Sequence, residues 1–536
     1  MNNADLVVSL LKAAGVARAF GVPSGNVLPL MEAMRAGGVP FVLTAHEGSA
    51  AFAADATARV TGQPGLCIAT LGPGATNLTT GVGCAYLDRS PLIAITCTLN
   101  EAQLGRRLQM WIDHEALFKP ITKASFVLRS GTVGATIAEA LRIAMSEPCG
   151  PVHLDLPEDV ALAPVSEPAL PLPMSAPVRP NVPDATALDQ AADCLRRARR
   201  PIAVIGMSAL RMRDPRRLAD FVARHRMPFA TTLMAKGLVD EADPLSLGCI
   251  ERACRKLQRR FLHENADLVV ALGYDTVEVE YEAWSGSLPV VHVDTEPADV
   301  DPSVSLLHEV VGDLDAAVEA LAAVDPLAHD WRDEEIAAHR AAFQRALRPA
   351  TQRFAPHEAI DAVRRVLPRD GVLAFDVGAH THQIGSQWTA HAPRTFLITN
   401  GWSSMGFALP AAIAAKLAHR DRAVACIVGD GCFQMTCGEL AVARRERLAI
   451  PFVVLNDAWL SLIKVKQERR SLPLYGTALE DEAAASPPGH YFGVPVVAVR
   501  TAAALEAALK RALAADGPTV IEASVDPSHY SETVFD

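Results

Sequence analysis

Three times along this chain, short runs of Val, Ile, Leu and Ala alternate with longer amphipathic segments, and two proline-rich seams separate the three sets. The runs cover 66–71, 91–97 and 152–156, then 201–205, 268–272 and 290–293, then 372–375, 423–428 and 451–455. Runs so short and so continuously apolar are buried on both faces, which calls for parallel strands covered by helices rather than hairpins. The first seam, 163–183, carries a proline every few residues from Pro164 to Pro183; the second surrounds Pro349 to Pro356, after a charged helical stretch at 330–347. Proline at that density is a linker composition. The expected fold is therefore α/β, with three doubly wound parallel-sheet domains at 1–163, 186–328 and 356–536, a linker at 164–185 and a linker helix at 329–355.

With 536 residues the chain can bury three cores of ordinary size. Half of it is apolar, yet no run approaches the roughly 20 uninterrupted apolar residues of a membrane span. The N-terminus lacks the basic start of a signal peptide, and 6–16, with Lys12 inside, reads as an amphipathic helix, so a cytoplasmic location is expected. The ten cysteines show neither a Cys-x-x-Cys pair nor zinc spacing, as suits free thiols in a reducing compartment. A net charge of −11 argues against nucleic acid as a partner.

The chemistry is concentrated near the C-terminal end. The third set contains Val428-Gly429-Asp430-Gly431-Cys432-Phe433-Gln434, and a later apolar run ends at Leu455-Asn456-Asp457-Ala458. A Gly-Asp-Gly turn leaving a buried strand lets backbone N–H groups approach a diphosphate, because glycine has no side chain to obstruct them. Asp430, Asn456 and the Ala458 carbonyl can then offer oxygens to one Mg²⁺, whose remaining positions diphosphate and water fill. On the tripeptide alone, an ordinary strand-to-helix turn is the better reading. A second signal reverses that. The β-like run 41–44 leads into Ala45-His46-Glu47-Gly48 and a helix of small residues. Thiamine diphosphate needs such a carboxyl group against N1′ of its aminopyrimidine, to promote the imino tautomer that removes the thiazolium C2 proton. Glu47 is the candidate.

These motifs occur in one order with Gly21-Val22-Pro23-Ser24-Gly25, Leu71-Gly72-Pro73-Gly74-Ala75-Thr76-Asn77, Asp155-Leu156-Pro157 and Met405-Gly406-Phe407-Ala408-Leu409-Pro410. Together they resemble the acetohydroxyacid and acetolactate synthase group of thiamine-diphosphate enzymes, over nearly the whole chain. The resemblance implies pyrimidine-binding, central and diphosphate-binding domains. It also implies decarboxylation of a 2-oxo acid such as pyruvate, with carboligation to a second carbonyl. The alternative is a related lyase, simple decarboxylase or acyltransferase acting on an acidic, sulfonated or acyl-coenzyme A substrate. It further implies homo-oligomers, dimers or tetramers, whose active sites lie between subunits, since Glu47 of one subunit meets the diphosphate clamp of its neighbour.

The same resemblance places Pro23, Ser403, Met405, Gly429, Gly431 and Cys432 around the cofactor and His380 against its diphosphate. Met405 is the apolar wedge that bends the cofactor, and the Ser403 carbonyl and Met405 N–H meet the aminopyrimidine edge. Gln109 and Gly25 join Glu47 on the substrate wall; outside that context Gln109 is an ordinary helix residue. Cys432 is a small side chain beside the diphosphate rather than a nucleophile.

Some positions depart from the biosynthetic pattern. Glu158 stands where those enzymes carry a lysine, and Gly273-Tyr274-Asp275-Thr276-Val277-Glu278 replaces a strand end whose arginine meets FAD. The latter pattern resembles the FAD-independent catabolic members, so FAD is not expected. The arginines at 196–217 and 252–260 read as solvated helical faces rather than a nucleotide site. Lys464 and Lys466 read as solvent-facing, with substrate-anion binding as the alternative, and 472–490 as a mobile lid.

Overall fold

The computed structural model describes residues 1–168, 178–479 and 487–534. The middle of the proline-rich linker and the 480–486 part of the expected lid lie outside the described residues.

Three sheets form. The N-terminal sheet holds β1 (Ala19–Gly21), β2 (Phe41–Leu43), β3 (Gly65–Thr70), β4 (Leu92–Thr98), β5 (Ala124–Val127) and β6 (Pro151–Pro157), in the order β2-β1-β3-β4-β6-β5. The central sheet holds β7 (Pro201–Ile205), β8 (Phe229–Thr231), β9 (Ser246–Cys249), β10 (Leu268–Leu272), β11 (Val290–Asp294) and β12 (Leu306–Val311), in the order β12-β11-β10-β7-β8-β9. The C-terminal sheet holds β13 (Val372–Phe375), β14 (Phe396–Leu397), β15 (Val424–Gly429), β16 (Pro451–Asn456), β17 (His490–Tyr491), β18 (Val494–Val499) and β19 (Thr519–Ser524), in the order β14-β13-β15-β16-β19-β18-β17. Pairing is parallel throughout, except for the antiparallel β17–β18 pair at one edge. Helices cover both faces, as parallel sheets require.

Several sequence boundaries move for local reasons. The first helix is Asn3–Ala13 rather than 6–16: Asn2 and Asp5 form a reciprocal capping box, and Gly15 at φ +92° ends the regular turn. The linker helix narrows to Asp333–Ala346, with Asp333, Glu334 and Glu335 in its first turn, where carboxylates suit the helix dipole. The sequence reading passes over β18, which carries Pro495 near the sheet edge, and β19, whose apolar run Glu522 interrupts. It also passes over β1, β8 and β14, two- and three-residue strands too short to show any period, while the run at 41–44 is β2.

The helix Glu47–Thr61 joins the N- and C-terminal sheets. Its faces are mostly alanine, which allows close approach to Pro73–Leu87 on one side and Ala408–Ala418 on the other. A Cβ on Gly81 would stand 2.5 Å from the Ala51 methyl, so the two N-terminal helices touch closely because that residue is glycine. At the start of this helix the Ala45 N–H donates to buried Glu439 at 3.0 Å, tying the entry to Glu47 to the C-terminal sheet.

Burial pushes the Glu439 carboxyl up to about 7. Because the folded value lies above the ordinary one, its contribution to stability is complete below about pH 4 and is lost as pH rises through 7. The expected effect of Glu439→Gln is a flatter decline in stability between pH 5 and 8, by about 3 kcal/mol at most. Melting temperatures at the two pH values check this; identical slopes in parent and variant would contradict it.

Candidate active site

Three neighbouring parallel strands of the C-terminal sheet end side by side. The registers pair Phe375 with Ile427 and Gly429 with Leu455, so the residues that end or follow β13, β15 and β16 share one carboxyl edge, where open α/β sheets bind ligands. These residues are Asp376 to His380, Asp430 and Asn456.

Asp430 opens the helix Asp430–Thr436, with Gly429 as its N-cap. Its carboxylate accepts the Gly431 N–H at 2.8 Å on one oxygen, and the Ala458 and Asp457 N–H groups at 2.8 and 3.2 Å on the other. Asn456 donates its amide N–H to Glu522 at 2.9 Å, which turns Oδ1 toward the Ala458 N–H at 3.1 Å. Ala458 sits at φ +63°, so the chain doubles back there. Its carbonyl also accepts the Leu479 N–H at 2.9 Å, which engages one of its lone pairs. Burial, and the neighbouring Asp457, push the Asp430 carboxyl up to about 7; burial takes Asp457 to about 6. A buried carboxyl group crowded by a half-buried second one, with an oriented amide oxygen beside it, is a hard-oxygen donor set that fits Mg²⁺.

His380 is buried, and a Cβ on Gly378 or Gly429 would meet its ring at 2.7 and 3.0 Å. The two glycines leave the room that the imidazole takes. Burial pushes His380 down to about 4, so its ring is neutral, and its Nε2 has no hydrogen-bond partner. An unpartnered buried ring nitrogen at this edge leaves a place for a ligand to make a hydrogen bond. Cys432 is buried and donates its S–H to the Val377 carbonyl at 3.0 Å; burial pushes the thiol well above its ordinary range. That leaves no thiolate for nucleophilic work.

Met405 lies half-buried, its methyl group 3.5 Å from where a Gly431 Cβ would stand, with Leu460 and Leu479 at 2.7 and 3.4 Å from the same point. These three side chains make an apolar wall over Gly431. Ser403 is exposed at φ +51°, and its hydroxyl donates to the Asn400 carbonyl at 2.7 Å. Asp376 accepts the Gly406 and Ala408 N–H groups, each at 3.0 Å, and so fixes the chain after Met405.

The N-terminal sheet gathers the other residues at its own carboxyl edge. Pro23 and Gly25 follow β1, Glu47 follows β2, the Gly72–Asn77 segment follows β3, and Gln109 lies in the loop after β4. Glu47 is half-buried at a helix start and accepts the Asn77 amide N–H at 2.9 Å. Pro23 and Gly25 are exposed, and nothing lies within 4 Å of a Cβ built on Gly25. Gln109 is exposed and sits in a turn, not a helix: Gly105 and Met110 take φ +79° and +64°, and the Met110 carbonyl packs against Gly72. Among the described residues, no hydrogen bond or ion pair joins Glu47 to Asp430, Asn456, His380 or Met405.

Sequence reasoning missed Asn77, Asp376, Leu460 and Leu479. Asn77 was visible inside the Gly-Pro-Gly-Ala-Thr-Asn motif; the leucines carry no sequence signal, since only the paired segments Ala458–Leu460 and Thr477–Leu479 bring them together. Two solvated-face expectations are corrected. Lys464 is half-buried over the Trp459 ring at 4.2 Å, and Lys466 is half-buried too. Arg211 is also half-buried, pairing with Glu147 at 2.8 Å, whereas Arg196, Arg199 and Arg216 do make exposed ion pairs.

The chain matches the domains of the thiamine pyrophosphate enzymes. Their N-terminal TPP-binding domain matches residues 1–117, their central domain 188–321 and their C-terminal TPP-binding domain 376–523. The chain is 33% identical to the acetolactate synthase isozyme 2 large subunit of Escherichia coli (strain K12), over 98% of this chain and 96% of that protein. It is 31% identical to the acetolactate synthase large subunit of Parasynechococcus marenigrum (strain WH8102), over 98% and 88%. It is 29% identical to a catabolic acetolactate synthase of Raoultella terrigena, over 98% and 95%. The chain belongs to the acetolactate synthase family of thiamine pyrophosphate enzymes.

With its thiol neutral and enclosed, Cys432 is expected to resist iodoacetamide in the native protein, while the half-buried Cys194 and Cys437 react first. Peptide mapping before and after unfolding in urea checks this; rapid native labelling of Cys432 would show that the thiol is open and ionised.

Proposed function

We propose that this enzyme uses thiamine diphosphate and Mg²⁺ to decarboxylate pyruvate and to join the two-carbon remainder to a second pyruvate, giving acetolactate. The observation that carries the reading is the shared edge of β13, β15 and β16, where Asp430, Asn456 and His380 converge. Asp430, Asn456 and the free lone pair of the Ala458 carbonyl would hold the metal. Neutral His380 would meet the diphosphate through Nε2, beside the Cys432 N–H. When bound, the cofactor supplies a carbon nucleophile and an electron sink. Glu47 holds a proton at the aminopyrimidine edge, with Asn77 orienting its carboxyl group. Met405, Leu460 and Leu479 exclude water from the reacting carbon, while Gly25 and Gln109 face the substrate.

Two such edges on different sheets imply a site completed by a second copy, with Glu47 delivered across the interface. Exposed apolar side chains rim both edges and support this: Leu43, Met110 and Ile112 on one, Trp402 and Met435 on the other, with Met435 62% exposed. We place the enzyme in the cytoplasm; among the described residues no helix is long and apolar enough to cross a membrane.

FAD has no role in this reading. At the switch point of the central sheet, between β7 and β10, the carboxylate of buried Glu278 takes the Met207 and Met234 N–H groups at 2.8 and 3.0 Å, and the Thr232 hydroxyl at 2.6 Å. Those donors are therefore already engaged by an acid of this chain.

Protein with thiamine diphosphate, Mg²⁺ and pyruvate is expected to release CO₂ and form acetolactate, unchanged by added FAD. Glu47→Gln should lower kcat by about a hundredfold or more while still binding cofactor. Acetaldehyde as the sole product would replace the carboligase with a simple decarboxylase.

A further inference from the structure

Between the two edges runs the segment 398–402, and each of its residues is held by the helix pair Glu47–Thr61 and Pro73–Leu87 or by the Asp88 that caps it. The Ile398 carbonyl accepts from Arg59. The Thr399 hydroxyl lies 3.0 Å from the Cys84 thiol. Asp88 accepts the Asn400 N–H at 3.2 Å and the Gly401 N–H at 2.7 Å. The Trp402 ring rests 2.8 Å from where a Gly83 Cβ would stand, and a Cβ on Gly401 would strike Leu87 at 2.7 Å. One residue later the chain turns left-handed at Ser403. Three residues further on, Asp376 takes over.

We propose that Asp88, locked by Arg59, is a positioning residue for thiamine diphosphate: it sets the loop from which Ser403 and Met405 receive the aminopyrimidine. This rests on the function proposed above. Asp88 is buried, and Arg59 donates to it at 2.7 Å and to Asp55 at 2.6 Å. The two carboxylates and Cys84 lie close enough to suggest a cation site, but the Arg59 guanidinium already bridges the acids. Every charged group facing Asp88 is thus accounted for: Arg59 and Asp55, with the Cys84 thiol held neutral by burial.

A tie between domains need only join bulk to bulk. Here the bonds fall on two successive main-chain N–H groups, at the point where the loop must enter a left-handed turn. A buried ion pair with directed hydrogen bonds specifies one geometry more than it adds stability. The loop from Gly401, held by Asp88, to Gly406, held by Asp376, is short, so a shift at Gly401 moves Ser403 and Met405 together.

The test is Asp88→Asn, with thiamine diphosphate affinity, steady-state kinetics, amide exchange of the 398–405 peptide and melting temperature measured on one preparation. Expected are about a tenfold weaker Kd for the cofactor and a comparable fall in kcat at saturating cofactor. The pyruvate KM should be unchanged and exchange at Asn400 and Gly401 faster. Thr399→Val leaves the ion cluster intact and serves if Asp88→Asn does not fold; a two- to threefold change in the same sense is expected, about a third of a decade of binding. A lower melting temperature with unchanged Kd, kcat and exchange would reduce the cluster to a domain tie and overturn the proposal. Failure of the parent protein to bind thiamine diphosphate would instead remove the function, and this inference with it.

Discussion

The rest of this molecule depends on strand register. Parallel pairing with Gly429 opposite Leu455 puts the residue after β15 beside the last residue of β16, and so sets Asp430 against Asn456. A slip of one residue would reverse every side chain and part the two. Register is secured by burial on both faces, because each strand is apolar throughout and lies under helices. The core packing that makes the C-terminal sheet stable is therefore also what places the oxygens.

Around that fixed edge the chain tolerates arrangements that cost free energy. Asp430 and Asp457 crowd each other in a buried setting, and His380 leaves a ring nitrogen without a partner. The first crowds two acids at one edge, and the second runs against the rule that buried polar groups find partners. Each also lies where a metal or a diphosphate would supply the missing one. Asp376, by contrast, is saturated with backbone donors, and it belongs to the scaffold rather than to the chemistry.

The architecture was legible because long buried strands have an unmistakable apolar pattern: 201–205, 268–272 and 372–375 coincide with β7, β10 and β13. Asp430 and Asn456 were legible for a related reason, since each directly follows such a strand. What escaped is what depends on distant pairing. Leu460 and Leu479 meet only through a short antiparallel contact, and Glu522 reaches Asn456 from a neighbouring strand. Gln109 was read as a helical residue when context was set aside, although Gly105 and Met110 require left-handed backbone. Arg211 shows the same limit, one member of an arginine-rich stretch drawn inward by Glu147 from another domain.

The helix Glu47–Thr61 has Glu47 at one end and Arg59 near the other, separated by about 18 Å of rise. Packed on small residues along both sides, it behaves as a stiff rod. If Glu47 serves the cofactor held by a second copy while Arg59 steadies the loop of its own, the rod belongs to two sites at once. A displacement at one end is then felt at the other as a tilt of the whole element, and the two catalytic centres of a pair become mechanically joined by their construction.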